Sequence, residues 1–267
     1  VKSNGVLTFG TGIGSATTNV TGTGSFITEA GATLILTSSA GITADGTTGN
    51  IRMITSRSFS PGTNYNFTKD DGSNRSVMGS SFGTEITAIN SLTVNNPRGL
   101  VLSSNITVNG VLNLQAGRLR TDNFTLSMAS GATMTRTDTS WVAGNFSKPV
   151  NINTTSLTYE IGDSSGYRPL TLTLNGVTTG GSIRASISQA AGNHPQIATA
   201  GISATKNVSR YWTLVNNGVV LTSYGATFNF LAADLVGGAD YNNLLAASYD
   251  GTSWTTGTFS GKTATSV

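Results

Sequence analysis

The chain has 267 residues, of which only 10% are charged, and glycine alone occupies 33 positions. Soluble domains usually carry about 25% charged residues and about 7% glycine, so the polar surface must come from Thr, Ser, Asn and Gly. The absence of cysteine excludes disulfides, zinc–thiolate sites and thiol nucleophiles, and a net charge of +3 spread without any Lys/Arg run gives nucleic-acid binding no support.

Small hydroxylated and β-branched residues suit pleated strands, and Gly and Asn supply the positive φ of tight turns. The expected class is therefore all-β, with many short strands and almost no helix. No apolar run reaches membrane-spanning length, so no membrane insertion is expected. The chain starts at Val1 and closes on Gly261–Val267, which reads like the start of a strand. That pattern suggests a mature or excised piece of a longer polypeptide.

In chain order, the segment Phe26–Leu34 can be laid over Leu126–Met134, each a strand, a turn carrying Gly-Ala-Thr, and a new apolar residue. Between them lie the apolar–polar–apolar triplets Leu92-Thr93-Val94, Ile106-Thr107-Val108, Leu112-Asn113-Leu114 and Phe124-Thr125-Leu126. Starts at 92, 106 and 124 suggest an irregular repeat of 14 and 18 residues. Short strands returning at such intervals predict a parallel β-solenoid-like module over residues 1–148, each coil stacking its apolar residues on the next. An antiparallel sandwich with tight hairpins would give similar alternation.

The pattern changes at Lys148-Pro149. Beyond it Ser156–Ile161, Leu170–Leu174, Ser182–Ile187, Ala226–Phe230 and Leu245–Tyr249 alternate as longer strands, and Asn175-Gly176 and Asp250-Gly251 read as hairpin turns. Residues 149–267 are expected to form an antiparallel β-sandwich.

The chain resembles the large repetitive surface proteins of Bacteroidetes, the gliding and adhesin-like proteins exported by type IX secretion. The resemblance rests on short elements in consistent order. In the first half they are Gly49-Asn50-Ile51-Arg52, Thr55–Phe59, Asn64–Phe67, Leu92–Asn96 and Val108–Leu119. In the second they are Tyr159–Asp163, Tyr167-Arg168-Pro169-Leu170, Arg210–Leu214 and Tyr249–Trp254. It implies an extracellular, surface-displayed structural or adhesive module with no catalytic motif to carry over. The expected partners are neighbouring modules of the same polypeptide, other copies of the chain, glycans or abiotic surfaces. A self-assembling subunit of an extracellular filament and a glycan-binding module are the alternatives.

Candidate chemistry is sparse. His194 is the only histidine, in the turn-like Gly192-Asn193-His194-Pro195, so a catalytic triad would depend on it and a multi-histidine metal site is excluded. Asp70, Asp71 and Asn74 form the best local oxygen cluster for calcium, but they lack the spacing of a calcium loop and read as a solvated hairpin tip. Glu160 and Asp163 lie close together without a third element aimed at them, which argues against paired-carboxylate chemistry. No regular Thr array of the kind that binds ice is evident. Tyr167 and Arg168, with Arg210, Tyr211 and Trp212, form either an aromatic–Arg contact surface or a structural lock in which Arg stacks on aromatic faces. Trp212 and Leu214 share a strand face, which favours the lock. Trp141 and Trp254 read as core or junction residues. No enzyme activity and no cofactor are expected.

Overall fold

The apolar–polar alternation of the chain is realised as strands throughout a computed structural model that describes residues 1–10, 18–52, 55–68, 75–258 and 261–267. Among the described residues helix is confined to short 3-10 turns such as Ile197–Thr199, Ala232–Asp234 and Tyr241–Asn243. None is long and apolar enough to cross a membrane. The chain divides into two units, Val1–Pro149 and Val150–Val267.

The first unit contains β1 (Val6–Thr8), β2 (Ser25–Thr28), β3 (Thr33–Leu36), β4 (Ser56–Phe59), β5 (Asn64–Phe67), β6 (Ser76–Val77) and β7 (Ala88–Ile89). They are followed by β8 (Ser91–Asn95), β9 (Leu100–Val101), β10 (Ile106–Val108), β11 (Val111–Ala116), β12 (Leu119–Met128), β13 (Thr133–Arg136) and β14 (Val142–Val150). One sheet runs β1-β3-β5-β8-β11-β13 with every neighbour parallel. A second parallel run joins β7, β10, β12 and β14, and shorter ones join β6, β9 and β12 or β2 and β4. Parallel neighbours need a crossover. Here the chain makes it by visiting another sheet before returning one rung further along.

Register explains the core. Leu34 pairs with Tyr65, Tyr65 with Leu92, Leu92 with Leu112 and Leu112 with Met134. The second column on the same face runs Leu36, Phe67, Val94 and Leu114. The first four residues of the first column and all four of the second are at most 1% exposed. Each such side chain contributes about 1.5–3 kcal/mol over an exposed one. Of the matched segments Phe26–Leu34 and Leu126–Met134, the ends coincide, since Leu34 and Met134 stand in one column, while the strands that open them, β2 and β12, belong to different sheets. Gly31 and Gly131 hold φ of 84° and 82° in the matching turns, a region that favours glycine.

The rung repeat differs from the expected 14 and 18 residues. Leu92 and Leu112 belong to one sheet, whereas Ile106 and Leu126 pair in another. The starts at 92, 106 and 124 mix two sheets, with Leu92 in one and Ile106 and Phe124 in the other. Within a face the return from Leu92 takes 20 residues to Leu112 and 22 more to Met134.

Asparagine secures the corners. Asn50 is fully buried; its Oδ1 accepts from the Thr37 and Ser38 amides at 3.0 and 2.8 Å, and its Nδ2 donates to the Thr18 carbonyl at 2.8 Å. Asn90 Nδ2 donates to Asn64 Oδ1 at 2.7 Å, linking two rungs. These side chains satisfy backbone and amide groups that turning would otherwise leave unpaired.

The second unit holds β15 (Ser156–Tyr159), β16 (Ile161–Gly162), β17 (Leu170–Asn175), β18 (Gly181–Ile187), β19 (Trp212–Asn217), β20 (Ser223–Phe228), β21 (Ala247–Tyr249) and β22 (Trp254–Thr256). Its pairing is antiparallel: β17 lies between β15 and β20, β18 pairs with β19, and β21 with β22 about Asp250-Gly251. Leu170, Leu172 and Leu174 of β17 and Ile183, Ala185 and Ile187 of β18 are buried. Tyr159 of β15 donates its hydroxyl to the Ile183 carbonyl at 2.6 Å. Asn175-Gly176 is not a hairpin, because β17 does not pair with β18. Gly176 does adopt a positive φ of 59°, but the chain leaves it for the other pair of strands.

Leu92 is enclosed in its column between Tyr65 and Leu112. Leu92→Ala should lower the unfolding free energy by about 2–5 kcal/mol, read as an earlier urea midpoint with strand content retained.

Candidate functional site

The densest polar chemistry among the described residues lies in the second unit and begins with a turn. After β16, Asp163 Oδ1 accepts from the Ser165 amide and hydroxyl at 2.7 Å each and from the Gly166 amide at 3.0 Å. The Asp163 amide donates back to the Gly166 carbonyl at 3.0 Å. This closed Asp turn returns the chain so that the Arg168 amide donates to the Ile161 carbonyl at 2.9 Å. A Cβ on Gly166 would lie 2.6 Å from the Leu231 side chain, so the turn is tightly seated.

Arg168 then points inward at 1% exposure. Its Nε and Nη2 donate to the two oxygens of Asp234 at 2.6 and 2.8 Å, and Nη1 donates to Asp163 Oδ1 at 2.7 Å. The remaining donors meet the Gly166 carbonyl at 3.1 Å and the Ser165 hydroxyl at 2.9 Å. Asp234 ends the 3-10 turn after Leu231, whose amide donates to Asp234 Oδ2 at 2.8 Å, and the Asp234 carbonyl accepts from the Ser209 amide at 2.8 Å. Arg210 completes the group. Its Nη2 lies 2.9 Å from Asp163 Oδ2 and 3.6 Å from Asp234 Oδ1. The shorter contact lies off the hydrogen-bonding direction and counts as an ion pair only.

Two arginines and two aspartates thus neutralise one another out of water. Burial pushes both aspartates upward. For Asp163, Ser165 hydrogen bonds and the charges of Arg168 and Arg210 outweigh it; for Asp234, hydrogen bonds from Arg168 and Leu231 and the same charges do. Both carboxyls end below the usual range. Burial also opposes the charge on Arg168, but its bonds and proximity to Asp234 and Asp163 raise it on balance. Asp163 and Asp234 are 1% and 3% exposed, so the geometry cross-links the 163–168 turn, the 232–234 turn and the lead into β19 and leaves no open coordination side.

The five residues singled out in the sequence do not share one surface. Arg168 and Arg210 come together on the carboxylates of Asp163 and Asp234, so the pair is held by ion pairing where the sequence suggests stacking on aromatic faces. Tyr167 is half-buried on an isolated bridge with Gly162. Trp212 turns to Phe228, ring centres 5.1 Å apart. Tyr211 turns to His194 at 5.2 Å, where Tyr249 and Trp254 also approach the imidazole at 5.3 and 5.1 Å. All four rings are half-buried, and Trp254 Nε1 donates to the Gln196 carbonyl at 3.1 Å. Trp141, in the first unit, lies beneath the Arg118 guanidinium at 5.6 Å.

Asp234 escaped the sequence reading, since it lies 66 residues from its partner Arg168 and no local motif marks it. Asp163 lies near Glu160 in the sequence, but its charged partners in the fold are Arg168 and Arg210. The calcium candidates Asp70, Asp71 and Asn74 lie outside the described residues. Among the described residues no three His, Cys, Asp or Glu side chains gather as a metal-ligand set.

Arg168→Met leaves two buried carboxylates with Arg210 alone and should cost about 3–5 kcal/mol of stability, read by thermal or urea unfolding. Asp163 and Asp234 have folded pKa values below their unfolded ones. Their contribution is therefore complete above about pH 4 and is lost as pH falls through the folded values. Acid titration of unfolding should show this decline, and Asp234→Asn should flatten it.

No protein-family model matches this chain, and neither the curated proteins nor the solved structures contain a match to it, so the functional argument rests on its own geometry.

Proposed function

We propose that this chain is a structural and adhesive module of a secreted bacterial surface protein, serving display and contact. In this reading the first unit is a parallel β-solenoid and the second an antiparallel β-sandwich, and neither performs catalysis. The Arg168–Asp163–Asp234–Arg210 group acts as a lock that holds three segments of the sandwich together. The resemblance to type IX-exported surface proteins of Bacteroidetes supports the extracellular setting.

The observation that carries the proposal is a row on the outward face of one sheet of the first unit, exposed at Thr8 and Thr135 and half-buried between them. Thr8, Ile35, Asn66, Thr93, Asn113 and Thr135 pair in sequence across all six strands, one residue per rung. They alternate with the buried columns and contain no charge. Rungs about 4.8 Å apart hold this row on a rigid backbone, and Thr135 Oγ1 donates to Asn113 Oδ1 at 2.9 Å within it. A surface of hydroxyls, amides and methyls without charge suits close contact with neutral, hydrated material such as a polysaccharide or an abiotic surface, because approach strips away no ion's hydration.

A second reading, a filament subunit, is favoured by the ends of this sheet. Among the described residues β1 and β13 are paired on one side only, and Val6 is 61% exposed. Such edges accept further strands. Fibres in electron micrographs of the purified chain would select this reading, and monomers at every concentration would dismiss it.

Thr93→Lys places one charge in the row at a half-buried outward position from which the long side chain can reach water, so stability should change by less than about 1 kcal/mol. Beads coated with this variant should detach from cellulose films and glass under flow that wild-type beads withstand. Equal retention, with equal unfolding midpoints, would remove the row as the contact surface.

A further inference from the structure

The sequence holds no run of basic residues, yet the first unit gathers arginines from separate segments onto one face. In the ladder β6-β9-β12-β14 the inward residues Ser76, Leu100, Leu119 and Val142 pair in series and are at most 1% exposed. The residue before each stands in a second row. The Ser76 amide donates to the Gly99 carbonyl at 3.1 Å, the Leu100 amide to the Arg118 carbonyl at 2.9 Å and the Leu119 amide to the Trp141 carbonyl at 3.0 Å. That row reads Arg75, Gly99, Arg118, Trp141. The residue after each turns outward by alternation, which gives Val77, Val101 and Arg120 in series. Arg75 is exposed, Val77 is 37% exposed, and Val101, Arg118, Arg120 and Trp141 are half-buried.

Each guanidinium is held in place. Arg118 lies over the Trp141 ring at 5.6 Å, a cation–π contact that fixes its direction. Arg75 spends Nε on the Arg98 carbonyl at 3.2 Å; among the described residues its two Nη groups bond to no acceptor. Arg120 donates from Nε and Nη2 to Asp122 Oδ1 at 3.1 and 2.7 Å, in a pair whose side chains are 42% and 45% exposed. Burial, and then the charges of Arg120 and Arg118, hold Arg75 below the usual guanidinium range against the weaker pull of Asp122. The three cations therefore share one field. Gly99 separates Arg75 from Arg118, which stand two rungs, about 9.6 Å, apart. Its φ is 88°, and a Cβ there would lie 2.3 Å from the Arg118 carbonyl oxygen, so the row keeps a bare floor between its two arginines.

We propose that this face binds an acidic polysaccharide, one uronate carboxylate seating over Gly99 between Arg75 and Arg118. The sugar ring beside it lies on Val77 and Val101, and a further carboxylate along the chain reaches Arg120 in competition with Asp122. Planar guanidinium forks match carboxylates, and cations at fixed rung spacing suit an anion repeated along a polymer. The valines offer apolar surface to the C–H face of a sugar, which a small free anion would leave unused. Anchoring of Arg75 and Arg118 before the ligand arrives lowers the entropy lost on binding. Three cations are a short track for a nucleic acid, whose affinity grows with the number of phosphates neutralised. The site lies on a different sheet from the uncharged Thr/Asn row, takes a charged ligand, and stands or falls independently of it.

The test titrates the full chain with alginate oligosaccharide, with the same oligosaccharide after reduction of its carboxyls to alcohols, and with an oligothymidylate of equal charge. Alginate should bind saturably and more weakly as salt is raised, and the reduced sugar should not bind. Arg75→Gln and Arg118→Gln should each weaken alginate binding about tenfold. Asp122→Asn releases Arg120 from its internal acid and should tighten binding about threefold; asparagine tolerates the φ of 47° at that position. Lys206→Gln removes the same charge from an exposed position in the second unit and should leave affinity unchanged. Should Arg118→Gln lower the unfolding midpoint, Arg75→Gln and Asp122→Asn decide. Absence of alginate binding, equal binding of the reduced sugar, or unchanged or weaker binding by Asp122→Asn overturns the proposal. So does an equal loss in Lys206→Gln, which would make the attraction one of net charge, or tighter binding of the oligothymidylate, which would make the face a nucleic-acid surface.

Discussion

Residue-for-residue pairing between parallel rungs is the constraint on which the first unit depends. It places Leu34, Tyr65, Leu92, Leu112 and Met134 in one column and Leu36, Phe67, Val94 and Leu114 in the next. Because strand side chains alternate with period two, a slip of one residue would turn both columns outward and bring the Thr/Asn row into the core. Register is therefore strongly specified even though rung lengths vary. The variation is absorbed at corners, where Asn50 and Asn90 bond to backbone or to another rung. A chain built this way draws its cohesion from backbone ladders and apolar columns, and it can carry few charges on its surface.

The second unit solves a different problem. Its strands are antiparallel, and its turns must be held against one another by groups distant in sequence. The Arg168–Asp234 pair does this with a bidentate contact, and Asp163 serves both its own turn and Arg168. A buried ion group of this kind is no great source of net stability, because desolvation offsets most of the Coulomb attraction. Its value is geometric: every remaining partner is penalised when one is removed, so the three segments keep one arrangement. Elsewhere in the unit Thr265–Val267 run along β20, Val267 exchanging two backbone hydrogen bonds with Phe228 and Thr265 accepting from the Phe230 amide.

Some of this was legible in the residues. The turn glycines Gly31 and Gly131 announce themselves, since a Gly-Ala-Thr turn between alternating segments is a local pattern with a local cause. The triplets at 92, 106, 112 and 124 were visible as strands, but their assignment to sheets was not, because alternation says which side chains share a face and nothing about which strand is the neighbour. Asn175-Gly176 shows the same limit: the pair supplies a positive φ at Gly176, yet a turn residue cannot specify where the chain goes next. Arg168 was recognisable as a residue with a special role, while its true partner Asp234 carries no mark at all.

Composition and period-two alternation by themselves determined that this is an all-β protein with many turns and a nearly uncharged surface, because those properties follow from local sterics and from how few ionisable groups there are to expose. Only the tertiary structure decided which strands are neighbours within each unit, that the triplets divide between two sheets, and that Arg168 meets the carboxylates of Asp163 and Asp234. Each of those depends on which segments, tens of residues apart, come to lie side by side, and backbone hydrogen bonds are indifferent to the side chains that would have revealed the choice in advance.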